Sequence, residues 1–257
     1  MLRAQRQDWL VNRLHADGRL VAKDVAADLG VSEDSVRRDL RELAAAGLCQ
    51  RVYGGALPVS PAIADYATRR QVAVASKERV AAAAAALIHP GSVAILDGGT
   101  TALAVVAALS RDLRATVVTH SPTVATALAD HPGIEVQILG GRLFRHSMVT
   151  CGAAAVEAAQ GFTADVFLLG VTGVHHEAGL TTGDADEAAM KRALSRRAAD
   201  TFVLASAEKI GVASPFLVLP IGDVSGIVTD APATDPTIMR IAVAGARVIH
   251  GAPSADR

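Results

Sequence analysis

The feature that most narrows the fold is a change of periodicity along the chain. From residue 92 onward, short runs rich in β-branched residues recur: Ser92-Val93-Ala94-Ile95-Leu96, Thr116-Val117-Val118-Thr119 and Asp165-Val166-Phe167-Leu168-Leu169. Alanine-rich stretches of helical character separate them. Apolar strands alternating with helices predict βαβ units and a mainly parallel sheet. The six-alanine run Ala81 to Ala86 predicts the packing face of a helix against that sheet. Before residue 58 the pattern is charged and helical in period, with little β alternation. Between the two regions, Tyr53-Gly54-Gly55-Ala56-Leu57-Pro58-Val59-Ser60-Pro61 holds two glycines and two prolines, which end regular structure. The expected organisation is a small helical unit over 1–57, a linker over 58–75 and an α/β unit over 76–257.

Composition excludes several classes. With 51% hydrophobic residues in 257, a compact core is available and wholesale disorder is excluded. Aromatics at 3% argue against a ring-built carbohydrate platform or a single-strand stacking surface. The 25 basic and 26 acidic side chains create no global field toward nucleic acid or membrane, so any DNA affinity must come from a local face. Two cysteines, Cys49 and Cys151, support neither a disulfide framework nor a cysteine zinc site and fit a reducing compartment. The longest apolar run, Val80 to Ile88, is far short of the roughly 20 residues that span a bilayer. No signal-peptide pattern opens the chain. A cytoplasmic protein without membrane partners, metal or cofactor is expected.

In the first quarter, Trp9, Leu10 and Leu14 form a helical stripe that Gly18 stops. Val21, Val25 and Leu29 share a face of a second helix ending at Gly30, a natural left-handed cap. Ser32 is a good N-cap for a third helix, with Glu33 and Asp34 complementing its positive end. That helix carries Val36, Leu40 and Leu43 inward and Ser35, Arg37, Arg38 and Arg41 outward. Three helices with a tight Gly-Val turn, followed by a hairpin over Leu48 to Gly55, predict a winged helix-turn-helix. Its third helix would enter the major groove of duplex DNA. Ser32, Ser35, Arg37, Arg38 and Arg41 are the candidate DNA contacts, with Arg51 reaching the backbone from the wing. Nine basic against eight acidic side chains over 1–57 add little. The clustering of arginines on one helix carries the reading.

In the remainder, polar residues gather at strand ends. Asp97-Gly98-Gly99-Thr100-Thr101 lies between a strand and a helix, where backbone N–H groups and hydroxyls can cradle an anion. Glycines also make ordinary βα turns, and neither a Walker loop nor a Gly-x-Gly-x-x-Gly fingerprint is present. Thr119-His120, Gly140-Gly141 and Thr172-Gly173 end other strands, and ligands bind outside the carboxyl ends of such strands, so these loops should converge on one crevice. Asp184 opens a helix carrying Glu187 and Lys191 at i, i+4, either a surface ion pair or part of a site. Arginine outnumbers lysine 21 to 4, and Lys77, Lys191 and Lys209 sit beside these polar segments, a hint of an anionic ligand. His175-His176 reads as an exposed loop rather than a metal pair.

Two sets of motifs carry a family resemblance. Leu20 to Ser32, followed by Ser35-Val36-Arg37-Arg38-Asp39-Leu40 and Gly47 through Ala56, is similar to the winged helix of the DeoR family of bacterial repressors, with Ser35-Val36 where Thr-Ile is usual. Leu96 to Thr101, Val117-Val118-Thr119, Leu139-Gly140-Gly141, Gly179-Leu180-Thr181-Thr182 and Ile227-Val228-Thr229-Asp230 resemble that family's effector domain. The resemblance implies a fold like the ribose-5-phosphate isomerase and CoA-transferase superfamily. It implies a homo-oligomeric repressor of a carbohydrate-metabolism operon, released by a phosphorylated sugar or related metabolite. Asp97, Gly99, Thr100 and Thr101 would hold the phosphate or a hydroxyl, with Lys191 and Lys209 as cationic contacts; Lys77, Gly98, Thr119, His120, Gly140, Gly141, Asp184 and Glu187 complete the expected effector site. Three departures bear on the ligand's identity: Gly98 for serine, His120 for asparagine, and Leu204-Ala205-Ser206-Ala207-Glu208-Lys209 for Ala-Asp-Ser-Ser-Lys. The alternatives are a sugar-phosphate isomerase with Asp97, Asp184 or Glu187 as base, and a DNA-binding protein whose larger unit only oligomerises.

Overall fold

A computed structural model describes residues 2–60 and 65–251. Pro61, the last residue of the Gly/Pro stretch, lies outside the described residues. Residues 2–57 build a trihelical unit with a hairpin: α1 (Arg3–Asp17), β1 (Leu20–Val21), α2 (Ala22–Leu29), α3 (Glu33–Ala45), β2 (Gln50–Val52) and β3 (Gly55–Leu57). Leu10, Leu14, Val25, Val36, Leu40 and Leu43 meet in one buried cluster, each from the helical stripe expected for it. Gly18 and Gly30 cap α1 and α2 in the left-handed conformation. Val21 is not part of α2: it pairs with Gly55 in a three-stranded sheet, and the helix starts one residue later. Asp39, buried in the middle of α3, accepts from Arg6 Nε of α1, so an ion pair orients the first helix against the third.

The wing lies where the hairpin was expected, and it extends further. Gly54 turns between β2 and β3, while Ala56 and Leu57 are buried strand residues rather than the start of a tether. The stretch after it is also more than a tether. Asp65 caps α4 (Tyr66–Gln71) by accepting from Thr68 N, and α5 (Val74–Ala85) follows after Ala73, a non-glycine residue at φ 51°.

The larger unit continues β4 (Val93–Leu96), α6 (Thr100–Ala108), β5 (Ala115–Thr119), α7 (Pro122–Leu128), β6 (Ile134–Ile138), β7 (Arg142–Phe144), β8 (Val149–Cys151), α8 (Ala153–Ala158) and β9 (Ala164–Gly170). It ends with β10 (Gly173–His175), β11 (Gly179–Thr182), α9 (Ala185–Ser195), β12 (Ala198–Ala205), β13 (Phe216–Leu219), β14 (Gly226–Thr229), α10 (Pro236–Val243) and β15 (Val248–His250). Seven strands form one sheet in the order β15-β14-β12-β9-β4-β5-β6, every neighbouring pair parallel. Alternate residues of each strand face opposite sides. Ile95, Phe167, Leu169 and Val203 enter one core layer, with Met190 and Leu194 of α9. Ala94, Leu96, Val166, Leu168 and Leu204 enter the other, with Val80, Ala81 and Ala84 of the alanine run. The continuous apolar runs in the sequence follow from burial on both faces.

Strand order sets the place of any ligand. Chain progress runs outward from β4 through β5 to β6 on one side, and from β9 through β12 to β15 on the other. The carboxyl ends of β4 and β9 therefore flank a topological switch point, where the two following connections leave toward opposite faces and open a crevice. An antiparallel sheet, β10-β11-β13, and the β7–β8 hairpin stand beside it.

The wing depends on close backbone approach at Gly55, where a Cβ would lie 1.7 Å from the Leu20 carbonyl oxygen. Gly55→Ala is expected to push β3 off β1 and destabilise the first 57 residues by about 1–3 kcal/mol, read as a lower urea midpoint.

Candidate effector cleft and nucleic-acid interface

The crevice at the switch point is lined by Gly98 to Thr101 after β4, Gly170 to Thr172 after β9, Glu208 and Lys209 after β12, Glu187 and Lys191 of α9, Ser147 of the β7–β8 turn, and Arg69, Val72 and Lys77 from α4 and α5. Gly99, at φ 94°, starts α6 without any side-chain cap, so the first-turn amides of a nine-residue helix are left for another acceptor. Gly98 N–H is different: it donates to Asp97 Oδ1 at 2.7 Å. The expected cradle thus begins at Gly99.

Four cations border this helix start. Lys209 is buried, and its Nζ donates to Thr101 Oγ1 at 3.3 Å. Burial pushes its ammonium down to about 8; Glu208 opposes the fall, and Lys77, Arg69 and Lys191 add to it. Lys77 Nζ donates to the carbonyls of Arg69 and Val72, which closes the C-terminal end of α4. Arg69 donates through Nη2 to the His146 carbonyl of the hairpin turn, stacks near Tyr66, and keeps its buried Nε without a partner. Burial holds both Lys77 and Arg69 below their ordinary values. An anion entering here would restore what desolvation has cost these groups.

Beneath the loop lies a closed polar network. Asp97 is fully buried and receives Lys191 Nζ at 2.5 Å, His120 Nε2 at 2.7 Å and Gly170 N–H at 2.8 Å in addition to Gly98 N–H. Burial works against its charge, but Lys191 and His120 outweigh that and hold the carboxyl well below the usual range. Lys191 also reaches Glu187 at 3.5 Å, and Thr182 Oγ1 donates to Glu187 Oε2 at 2.5 Å. The Glu187–Lys191 pair is therefore buried in the site, not on the surface. Burial is opposed by Asp97 and Glu187, and the Lys191 ammonium ends above its ordinary value.

The structure divides the expected effector residues. Lys77, Gly98, Gly99, Thr100, Thr101, Glu187, Lys191 and Lys209 line the cleft. Asp97, Thr119 and His120 lie fully buried below it, where Asp97 is occupied by protein donors. Asp184 caps α9 by accepting from Glu187 N–H, and Gly140 and Gly141 sit exposed outside the lining. Thr172, from a strand-end loop expected to converge there, lines the cleft as well; Arg69, Ser147 and Glu208 were not expected. The Asp65-Tyr-Ala-Thr68 cap signal could have announced Arg69's helix. His175, expected in an exposed loop, is a buried strand residue; its Nδ1 accepts from Glu177 and Ala178 amides, and burial pushes it down to about 4.

The departures at Gly98 and His120 have a common physical setting. A Cβ on Gly98 would lie 2.1 Å from Val149 Cγ1. His120 reaches from Asp97 to the Thr150 carbonyl, which it meets through Nδ1 at 2.9 Å. The glycine and the histidine together seat the β7–β8 hairpin against the loop.

On the trihelical unit, Ser32 Oγ accepts from Ser35 N–H and holds the start of α3. Arg37, Arg38, Arg41 and Arg51 are exposed. Arg37 pairs with Glu33 at 2.7 Å; the described residues show no ion pair to Arg38 or Arg41. The two units meet through the pair Arg19–Glu177 at 2.7 Å and through Ser60 Oγ, which donates to the carbonyl of Thr172, a cleft residue.

A winged helix-turn-helix joined to an α/β unit with a cation-lined cleft defines a DNA-binding transcriptional regulator with a sensor domain. Residues 6–62 match the DeoR-like helix-turn-helix domain and residues 72–231 the DeoR C terminal sensor domain; the chain belongs to the DeoR family. It is similar to the HTH-type transcriptional regulator GlpR of Haloferax volcanii (31% identity, 98% of this chain and 99% of that protein) and to the HTH-type transcriptional repressor GlcR of Bacillus subtilis (30%, 90% and 89%). It is also similar to the glycerol-3-phosphate regulon repressor of Escherichia coli (29%, 90% and 92%). Among solved structures, ribose 5-phosphate isomerase A of Methanocaldococcus jannaschii is similar over 52% of this chain and 53% of that one, at 18% identity and a TM-score of 0.39.

Gly98→Ser is expected to destabilise the protein by about 1–3 kcal/mol through overpacking against Val149. Adding Val149→Ala should recover much of that loss; a thermodynamic cycle by chemical denaturation measures the coupling.

Proposed function

We propose that this chain is a cytoplasmic repressor of a carbohydrate-metabolism operon, released from its operator by a phosphorylated sugar or related phosphometabolite held in the cleft. One observation carries the ligand's class: an uncapped helix start shares one cleft with Lys209, Lys77 and Arg69, the last with a buried and unpartnered Nε. The names of the relatives that regulate glycerol-3-phosphate genes support it. Residues 1–57 are the DNA reader and 76–257 the sensing and oligomerising unit, with 58–75 between them contributing Arg69. Ser32, Ser35, Arg37, Arg38 and Arg41 on α3 face the major groove, and Arg51 on the wing meets phosphates. One small winged helix makes few phosphate contacts, so operator affinity requires a homodimer or larger assembly.

In this reading Gly99, Thr100 and Thr101 receive the phosphate and Lys209 neutralises it, while Asp97 positions Lys191 and the loop from below. The cleft senses without turnover. Its best candidate bases are locked: Asp97 by four donors, Glu187 by Thr182 and Lys191. Thr172 touches both the cleft and Ser60, so a ligand that moves Thr172 shifts the arrangement of the two units and changes DNA affinity. No helix among the described residues is long and apolar enough to cross a membrane.

Arg38→Ala should weaken binding to a fluorescent promoter fragment by about 1–3 kcal/mol if the arginine reads a base bidentately. No preference of the unmutated protein for the promoter fragment over random DNA would defeat the regulator reading. The cleft makes a pH prediction. A phosphate ester is a dianion throughout pH 7–9, its second pKa being about 6. Lys209 loses its proton as pH rises through about 8. Calorimetric affinity for glycerol 3-phosphate, such an ester, should therefore fall progressively as pH rises from 7 through about 8 to 9, and Lys209→Met should bind it more weakly with a shallower pH dependence.

A further inference from the structure

Among the described residues, four buried side-chain polar atoms lack a hydrogen-bond partner, and two of them belong to residues that line this one cleft: Arg69 Nε and Glu208 Oε2. Buried polar atoms are almost always paired, so two orphans at one crevice describe the groups that complete it. They are of opposite kinds. Arg69 offers an N–H and suits the phosphate already argued for the loop. Glu208 offers only an acceptor, and a phosphate beside it would be repelled.

The Glu208 carboxylate is held in place from one side. Ser206 Oγ donates to its Oε1 at 2.6 Å, which leaves Oε2 as the bare oxygen. Ala207–Lys209 form a single 3-10 turn, so Glu208 and Lys209 reach the cleft from adjacent positions. Lys209 points to the loop through Thr101, at the phosphate end. Its neighbour is left for another part of the same ligand.

We propose that Glu208 is a specificity residue that accepts a hydrogen bond from a hydroxyl or ammonium group on the effector's carbon skeleton. The ligand class is then phosphomonoesters bearing such a donor, and this inference rests on the cleft being the phosphate site. Calorimetry with the full-length protein on a matched three-carbon series tests it: n-propyl phosphate, glycerol 3-phosphate and 3-aminopropyl phosphate, with inorganic phosphate as the minimal probe. A charge-assisted hydrogen bond to the carboxylate should make at least one donor-bearing ester bind about tenfold or more tightly than propyl phosphate. Whichever ester gains identifies hydroxyl or ammonium. Glu208→Ala should erase that gap, so that the donor-bearing esters bind no more tightly than propyl phosphate. Glu208→Gln, nearly isosteric, should lose the ammonium's advantage and keep part of the hydroxyl's; it also stands in should the alanine variant unfold by circular dichroism. Equal binding of all three esters, or a gap that survives both substitutions, overturns the role of Glu208 and leaves the phosphate site standing. Failure of inorganic phosphate and every ester to bind overturns the site itself.

Discussion

The carboxylate of Asp97 is the interaction on which the rest of the larger unit depends. It sits at the carboxyl end of β4 with no exposure, and its donors come from four places: its own loop, the end of β5, the end of β9 and the middle of α9. Those are the two halves of the sheet and one covering helix, joined at the switch point. Removing one partner of a buried charge pair typically costs about 3–5 kcal/mol, because the other is left uncompensated. A fully satisfied network holds a definite geometry. The floor of the cleft is therefore held in a definite arrangement, with Gly98 N–H tied to the acid and α6 starting at Gly99 just beyond it.

A second level of organisation is built on that floor. Lys191 faces down to Asp97 and sideways to Glu187, so its charge is spent within the protein. Lys209, Arg69 and Lys77 have no carboxylate ion-pair partner among the described residues and give the cleft its sign. The desolvation borne by these groups is the local cost of holding three cations in one cleft. Glu208 tempers it.

Much of this was legible in the amino-acid order. The apolar runs, the Gly30 cap and the Arg37-Arg38-Arg41 face follow from periodicity and capping, which act over a few residues. That Gly99-Thr100-Thr101 lies between a strand and a helix was legible, because glycine after an apolar strand marks a βα turn. Arg69 was not, since a six-residue helix is too short to show a period and lies just past a Gly/Pro stretch that reads as a break. The burial of Asp97 was not legible either: its partners Gly170 and Lys191 are 73 and 94 residues away. An acid beside glycines looks like a ligand until its cation is found. Likewise His175 looks exposed beside His176 until β10 is placed next to β11, which buries it.

The parallel pairing of β4 with β9 joins Ala94 to Val166 across a long intervening segment. Such distant pairings are slow, because loop-closure entropy must be met before any contact repays it. The trihelical unit at the front of the chain closes through near neighbours and needs none of this. During synthesis the reader emerges and can fold first, while the pocket has no floor until α9 has left the ribosome and no complete rim until Lys209 follows. A young chain thus has the shape of its reader before it has that of its sensor.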